Sequence, residues 1–194
     1  MSEDDININS DDTDLIESFK NGNRTAFNYL VLKYHKKIYW VIRRMVIDHD
    51  DADDITQEVF IKIYRSLNDF RGESKFFTYI YKIAVNYSLN HIKRKKTLTG
   101  RTSDFEAEAY KLESNDKKSD EIFDDNKRTI LLEQAIFSLP PQQRAVFNLR
   151  FYNNLPYEDI SKILKKSVGG LKANYFHAIK KIEEFLKNKK SFNY

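Results

Sequence analysis

Residues 97–127 hold nine acids and five bases and carry weak apolar periodicity, and they divide the chain in two. On either side the charge reverses. Residues 15–96 hold 16 bases against 9 acids, and residues 128–194 hold 12 against 5. A charged, solvated segment between two basic blocks works against a single shared core. We therefore expect two small domains, at 15–96 and 128–188, joined by a flexible acidic linker at 97–127. An acidic arm, residues 1–14, precedes them with six acids (Glu3, Asp4, Asp5, Asp11, Asp12, Asp14) and no base. The formal net charge of +4 averages over all of this and conceals it.

Both blocks read as helical, and the expected fold class is all-α. Phe27, Leu30, Tyr34, Ile38, Val41 and Met45 recur at steps of three or four, the period of an amphipathic helix. Asp50 or Asp51 offers the N-cap of a second helix with the stripe Ile55, Val59, Ile63 and Leu67. A break at Phe70-Arg71-Gly72 precedes a third, from about Thr78 to Lys96. In the second block helices are expected near 128–138, 141–152, 156–165 and 168–187, the first two parted by Leu139-Pro140-Pro141. Five glycines and three prolines are too few for a turn-dense β fold.

Several chemistries drop out early. With no cysteine there is no disulfide, thiolate metal site or thiol nucleophile. The four histidines are scattered, and no P-loop, HExxH, nucleophile elbow or dinucleotide fingerprint occurs. No catalytic constellation, cofactor or metal site is expected. The acidic run 48–54 lacks the glycine and distal glutamate of a calcium loop, and helix capping accounts for it better. No apolar run approaches 18 residues and the acidic start is unlike a signal peptide, so a soluble, cytoplasmic chain is expected.

Two segments carry positive signals. The run LPYEDISKILKKSVGGLKANYFHAIKKI holds two helices and a turn of about four residues. Pro156 suits the first position of one helix, and Ser167 can cap the other. The second helix would present Lys172, Asn174, Phe176, His177, Lys180 and Lys181, either to a major groove or simply to solvent. The adjoining Gly169-Gly170 suggests close packing on the preceding helix or a fraying first turn. Residues 74–96 contain six bases, no acid and five aromatics, the composition that holds unpaired nucleic-acid strands. The same aromatics would equally serve as core.

Beyond these patterns lies a resemblance. Asp51-Ala52-Asp53-Asp54-Ile55-Thr56-Gln57-Glu58-Val59-Phe60 resembles the D-A-E-D-x-x-Q-E-V-F segment of extracytoplasmic-function sigma factors, small members of the sigma-70 family. Residues 70–86, FRGESKFFTYIYKIAVN, are similar to that family's F-R-G-x-x-x-F-x-T-W-L-Y-R-I-A-x-N. Leu139-Pro140-Pro141-Gln142-Gln143-Arg144, with Ser161-Lys162-Ile163-Leu164 and Ser167-Val168-Gly169, resembles its promoter-reading helix-turn-helix. The resemblance implies a non-enzymatic polymerase subunit made of sigma region 2 and sigma region 4. It implies docking on the β′ clamp helices of bacterial core RNA polymerase through Asp53, Asp54, Gln57 and Glu58. It implies opening of a −10 element and capture of a flipped base by Arg71, Lys75, Phe76, Phe77, Tyr79, Lys82 and Asn86. Reading of a −35 element would fall to Ser167, Lys172, Ala173, Asn174, Phe176, His177 and Lys180. It also implies an anti-sigma partner. Tyr79, Asn174 and Gly170 depart from the family's usual Trp, Arg and Thr or Ala. The rival expectation is a helix-turn-helix regulator of duplex DNA that is no polymerase subunit.

Overall fold

The structure, a computed structural model, describes residues 6–99 and 120–191. Glu3, Asp4 and Asp5 of the acidic arm and residues 100–119 of the expected linker lie outside the described residues. Among the described residues every regular element is a helix, and the fold is all-α. The described residues form eight helices: α1 (Asp12–Lys20), α2 (Thr25–Arg43), α3 (His49–Ser66), α4 (Phe76–Thr99), α5 (Asp120–Phe137), α6 (Pro141–Phe151), α7 (Tyr157–Leu164) and α8 (Val168–Ser191). They fall into two compact units, the first containing residues up to Ser88 and the second most of those beyond.

In the first unit, α2 packs on both α1 and α3. The expected stripe of α2 is buried throughout, from Phe27 to Met45, and that of α3 is buried from Ile55 to Leu67. Each fully buried Leu or Ile contributes roughly 1.5–3 kcal/mol. The N-terminal helix is fastened to α2 by polar contacts: Lys33 Nζ lies 2.7 Å from Asp12 Oδ1, and the Tyr34 hydroxyl donates to the other oxygen of that carboxylate. Burial, and then that carboxylate, push the Tyr34 phenol well above its ordinary pKa.

In the second unit, α8 packs across α6 and α5. Ala135, Ile136, Leu139, Phe147, Ala178 and Ile182 form its core, and Leu132, Tyr175 and Ile179 close over them. Pro141 opens α6 as the first helical residue, where its missing N–H costs nothing.

Helix limits differ from the sequence expectation in places. The expected linker is helical at both ends, since α4 continues to Thr99 and α5 begins at Asp120. Helix ends follow local hydrogen bonding rather than net charge; Thr97 Oγ1, for example, donates to the Lys93 carbonyl at 3.0 Å.

Candidate nucleic-acid interface

Asp48, not Asp50 or Asp51, caps α3. Its extended backbone (ψ 140°) lets Oδ1 accept from the amides of Asp50 at 2.8 Å and Asp51 at 3.1 Å, while Asp50 and Asp51 occupy the first turn. Most of the acidic run therefore satisfies a helix start and its dipole. With α3 so placed, Asp54, Gln57 and Glu58 are all exposed at the i, i+3, i+4 spacing of one face. Asp53 is half-buried beside them. Its carboxylate lies 3.6 Å from His49 Nε2, and His49 Nδ1 is 2.6 Å from the Tyr39 hydroxyl. Desolvation, followed by the Asp53 charge, raises the Tyr39 pKa.

The second group of residues begins in the loop after α3. Gly72 takes φ +73°, a left-handed conformation that a side chain would strain. Lys20 Nζ donates to the Phe70 carbonyl and ties α1 to this loop. Four rings then join the loop to α2 and α4. Phe76 meets Tyr34 edge-on at 5.3 Å and Phe70 at 5.9 Å, and Phe70 lies 5.0 Å from Tyr79. The Tyr79 hydroxyl is 2.7 Å from Ser66 Oγ, so the ring is held at both ends.

This packing sorts the expected strand-holding residues. Lys75, Tyr79, Lys82 and Asn86 follow at i, i+4, i+7 and i+11, on a single helical stripe. Lys75 and Asn86 are exposed, Tyr79 and Lys82 half-exposed, and Arg71 is exposed on the loop. Phe76 departs from the expectation. It is only 4% exposed, and its ring is covered by Tyr34 and Phe70, so it supports the loop and offers no face to a base. Phe77 is half-buried on the opposite flank of α4, edge-on to Tyr81 at 5.9 Å, and does not share the stripe.

In the second unit the turn is tightly specified. Lys165 ends α7 in the left-handed conformation (φ 52°). Ser161 Oγ donates to the Lys166 carbonyl at 2.6 Å, and Ser167 Oγ accepts from the Gly170 amide at 3.2 Å. Ser167 is thus the cap expected of it, whereas Pro156 is the N-cap of α7 and not its first helical residue. Beyond Ser167, Leu171, Ala178 and Ile182 are buried. Lys172, Ala173, Phe176, His177 and Lys180 emerge together on the opposite face, all exposed, with Phe176 at 65%. Asn174 stands apart, half-buried, its amide donating to the Gly170 carbonyl at 2.9 Å. The glycines do not mediate close packing. A Cβ at Gly169 would meet nothing, and one at Gly170 only Ser167 Oγ at 3.2 Å.

Two residues escaped sequence reasoning about individual side chains. Arg144 is buried, its Nη2 donating to the carbonyls of Phe137 at 2.6 Å and Leu139 at 3.2 Å, with the guanidinium 5.1 Å from the Phe137 ring. It closes the end of α5 over the proline break, and desolvation lowers its pKa to about 10. An arginine three residues after a Pro-Pro helix break was the available signal. The other is Trp40, 45% exposed on α2 although it lies within an otherwise ordinary amphipathic pattern.

Residues 30–97 match the family model of Sigma-70 region 2, and residues 129–182 that of Sigma-70, region 4. The chain is 36% identical over 185 residues to the RNA polymerase sigma-H factor of Pseudomonas aeruginosa, covering 90% of this chain and 93% of that one. It is 35% identical over 182 residues to the ECF RNA polymerase sigma-E factor of Haemophilus influenzae, covering 89% and 93%. Among solved structures its fold is similar to CnrH in complex with the cytosolic domain of CnrY, with a TM-score of 0.67 at 18% identity over 91% of this chain and 97% of that one. It is also similar to the sigma factor RpoE in complex with the anti-sigma factor NepR from Bartonella quintana, with a TM-score of 0.61 at 17% identity over 83% and 96%. On two matched regions in the family's order and relatives spanning nearly the whole chain, this protein belongs to the sigma-70 family, among the extracytoplasmic-function RNA polymerase sigma factors.

Proposed function

We propose that the chain confers promoter recognition on bacterial core RNA polymerase, using residues 15–96 for core docking and −10 opening and residues 128–188 for the −35 element. The observation that carries this is the pair of basic stripes, Lys75 with Tyr79, Lys82 and Asn86 of α4, and Lys172-Ala173-Phe176-His177-Lys180 on α8, each in the unit whose sequence matches a sigma region. Asp54, Gln57 and Glu58, with Asp53 beside them, offer acidic and polar groups to the clamp helices, a face suited to a basic partner. Tyr79 stacks against an unpaired base while Arg71, Lys75 and Lys82 take phosphates. Binding energy so gained offsets the few kcal/mol that unstacking a base costs.

In the major groove, the first turns of α8 reach base edges through Lys172, Ala173, Phe176 and His177, and Lys180 takes a phosphate. Ser167 acts indirectly, as the cap that sets where α8 begins. Asn174 is tied to its own backbone, so we assign it a smaller part. No step here is catalytic; the chain directs a reaction carried out by the core enzyme. An anti-sigma partner and a cytoplasmic site of action complete the proposal, supported by the complexes in which similar folds were solved. Among the described residues, no helix is long and apolar enough to cross a membrane.

Run-off transcription tests it. Core polymerase supplied with this protein should initiate at a defined promoter that core alone ignores. Binding to duplex promoter DNA without any core-dependent initiation would reject the proposal in favour of a helix-turn-helix regulator.

A further inference from the structure

The outer face of α2 has no part in the assignments above. Residues 25–44 contain no acid and five bases, Lys33, Lys36, Lys37, Arg43 and Arg44. Lys33 is engaged with Asp12. Leu32, Lys36, Trp40 and Arg44 succeed one another at steps of four, and Lys36, Lys37 and Trp40 are all exposed. The Arg44 guanidinium lies over the Trp40 indole, 5.5 Å from its centroid, and Tyr39 braces that ring edge-on at 5.5 Å. A helix face that merely meets solvent normally interleaves charges of both signs. This one combines a single sign with the only tryptophan of the chain.

Packed rings connect this face to the loop after α3. Lys37 Nζ sits over the Tyr34 ring at 5.6 Å, Tyr34 meets Phe76, and Phe76 meets Phe70 in the loop that leads to Tyr79. From Lys37, Trp40 lies about one helical turn further along α2. Cations flanking an aromatic ring braced on one side and open to solvent are what a single strand requires. A duplex cannot use the ring, because its bases are already stacked.

We infer that the α2 face formed by Lys36, Lys37, Trp40 and Arg44 is a second binding surface for unpaired DNA, on which a base stacks against Trp40 and the cations take the neighbouring phosphates. This rests on the proposal that the first unit holds an opened strand, and it extends that strand's path from α4 to α2.

Because Trp40 is the only tryptophan, the emission of the unmodified full-length protein reports on this site alone. Titration with a fifteen-nucleotide oligothymidylate should quench that emission in step with binding, followed separately by polarisation of a labelled copy. Trp40→Ala should weaken binding about tenfold, and Trp40→Phe much less. Lys36→Gln with Lys37→Gln should lower the slope of log affinity against log salt by about 1.4. Circular dichroism checks that each variant folds. Oligonucleotide binding with unchanged Trp40 emission, or wild-type affinity in Trp40→Ala, would overturn the inference. So would equal quenching by poly-glutamate, which would make the face a site for an acidic protein. Run-off transcription separates the two levels: a chain that drives run-off while Trp40 stays silent loses only this inference, and one that drives none loses the sigma-factor role itself.

Discussion

The helices α4 and α8 have the same length, 24 residues, and neither has an acid in its first turn, yet they present their aromatic groups in opposite ways. On α4, Tyr79 is locked by Ser66 and Phe70, with Phe76 and Tyr34 packed behind it. On α8, Phe176 is 65% exposed, its ring set against that of its neighbour His177. The contrast fits what the proposed function has each of them bind. An unpaired strand has no shape of its own, so the protein must supply a preorganised surface and thereby limit the ordering cost. A duplex is already rigid, and a helix placed by its cap and core can leave its reading side chains loose until the groove orders them. On that proposal the first unit invests its aromatic packing at its site, and the second invests in the turn that aims α8.

Breaking the frame of one unit should leave the other standing. The largest effect is expected from Arg144→Ala, which strips the donor from two buried carbonyls and should cost about 3 kcal/mol. Helicity followed by circular dichroism should then begin to melt early while the Trp40 emission midpoint, which reports the first unit, stays put. A matching fall in the Trp40 midpoint would show that the units unfold together. Next comes Gln57→Ala with Glu58→Ala. Core affinity should fall at least tenfold, about 1.4 kcal/mol, with binding of isolated −35 duplex retained; unchanged core affinity would remove α3 as the docking face.

The comparison sharpens with a pair of smaller changes. Tyr79→Ala should reduce open-complex formation about tenfold, in the range of one lost base stack, as read by permanganate reactivity of unpaired thymines, without altering −35 binding. Lys172→Ala should do the reverse, relaxing −35 preference by about 1–3 kcal/mol at one position and leaving strand opening intact once the complex has formed. If each variant disturbs the other's step, the division of labour is wrong. The smallest effect is expected for Ser167→Ala, about 1 kcal/mol of stability from the lost cap, visible as a modest shift in the circular-dichroism melt.

Much of this was legible in one dimension. The period of three to four residues in 27–45 and 55–67 identified faces that the structure buries, and Ser167 before a helical run announced its own cap. The sequence points to Asp50 or Asp51 where Asp48 is the cap, because any of three closely spaced acids can cap and only the backbone angles choose among them. Residues 97–99 and 120–127 read as linker because Thr-Leu-Thr is too short to show a period and the charge of 120–127 outweighs its weak apolar pattern. Phe76 and Tyr79 illustrate the deeper limit. Both are aromatic, three residues apart, in a segment whose composition suits a strand, yet one is sealed and the other partly open.

The sequence by itself determined an all-helical chain, its two basic blocks, and the family to which the motifs around 51–60, 70–86 and 139–169 belong. Local spacing suffices there, because helical period, capping and charge act within a few residues of each other. Only the tertiary structure decided that Phe76 is core while Tyr79 stays half-exposed, that Arg144 closes the end of α5, and that Trp40 stands exposed with the Arg44 guanidinium over its ring. A helix's own sequence tells which residues share a face, but what covers that face comes from other elements, Tyr34 and Phe70 in one case and the end of α5 in the other.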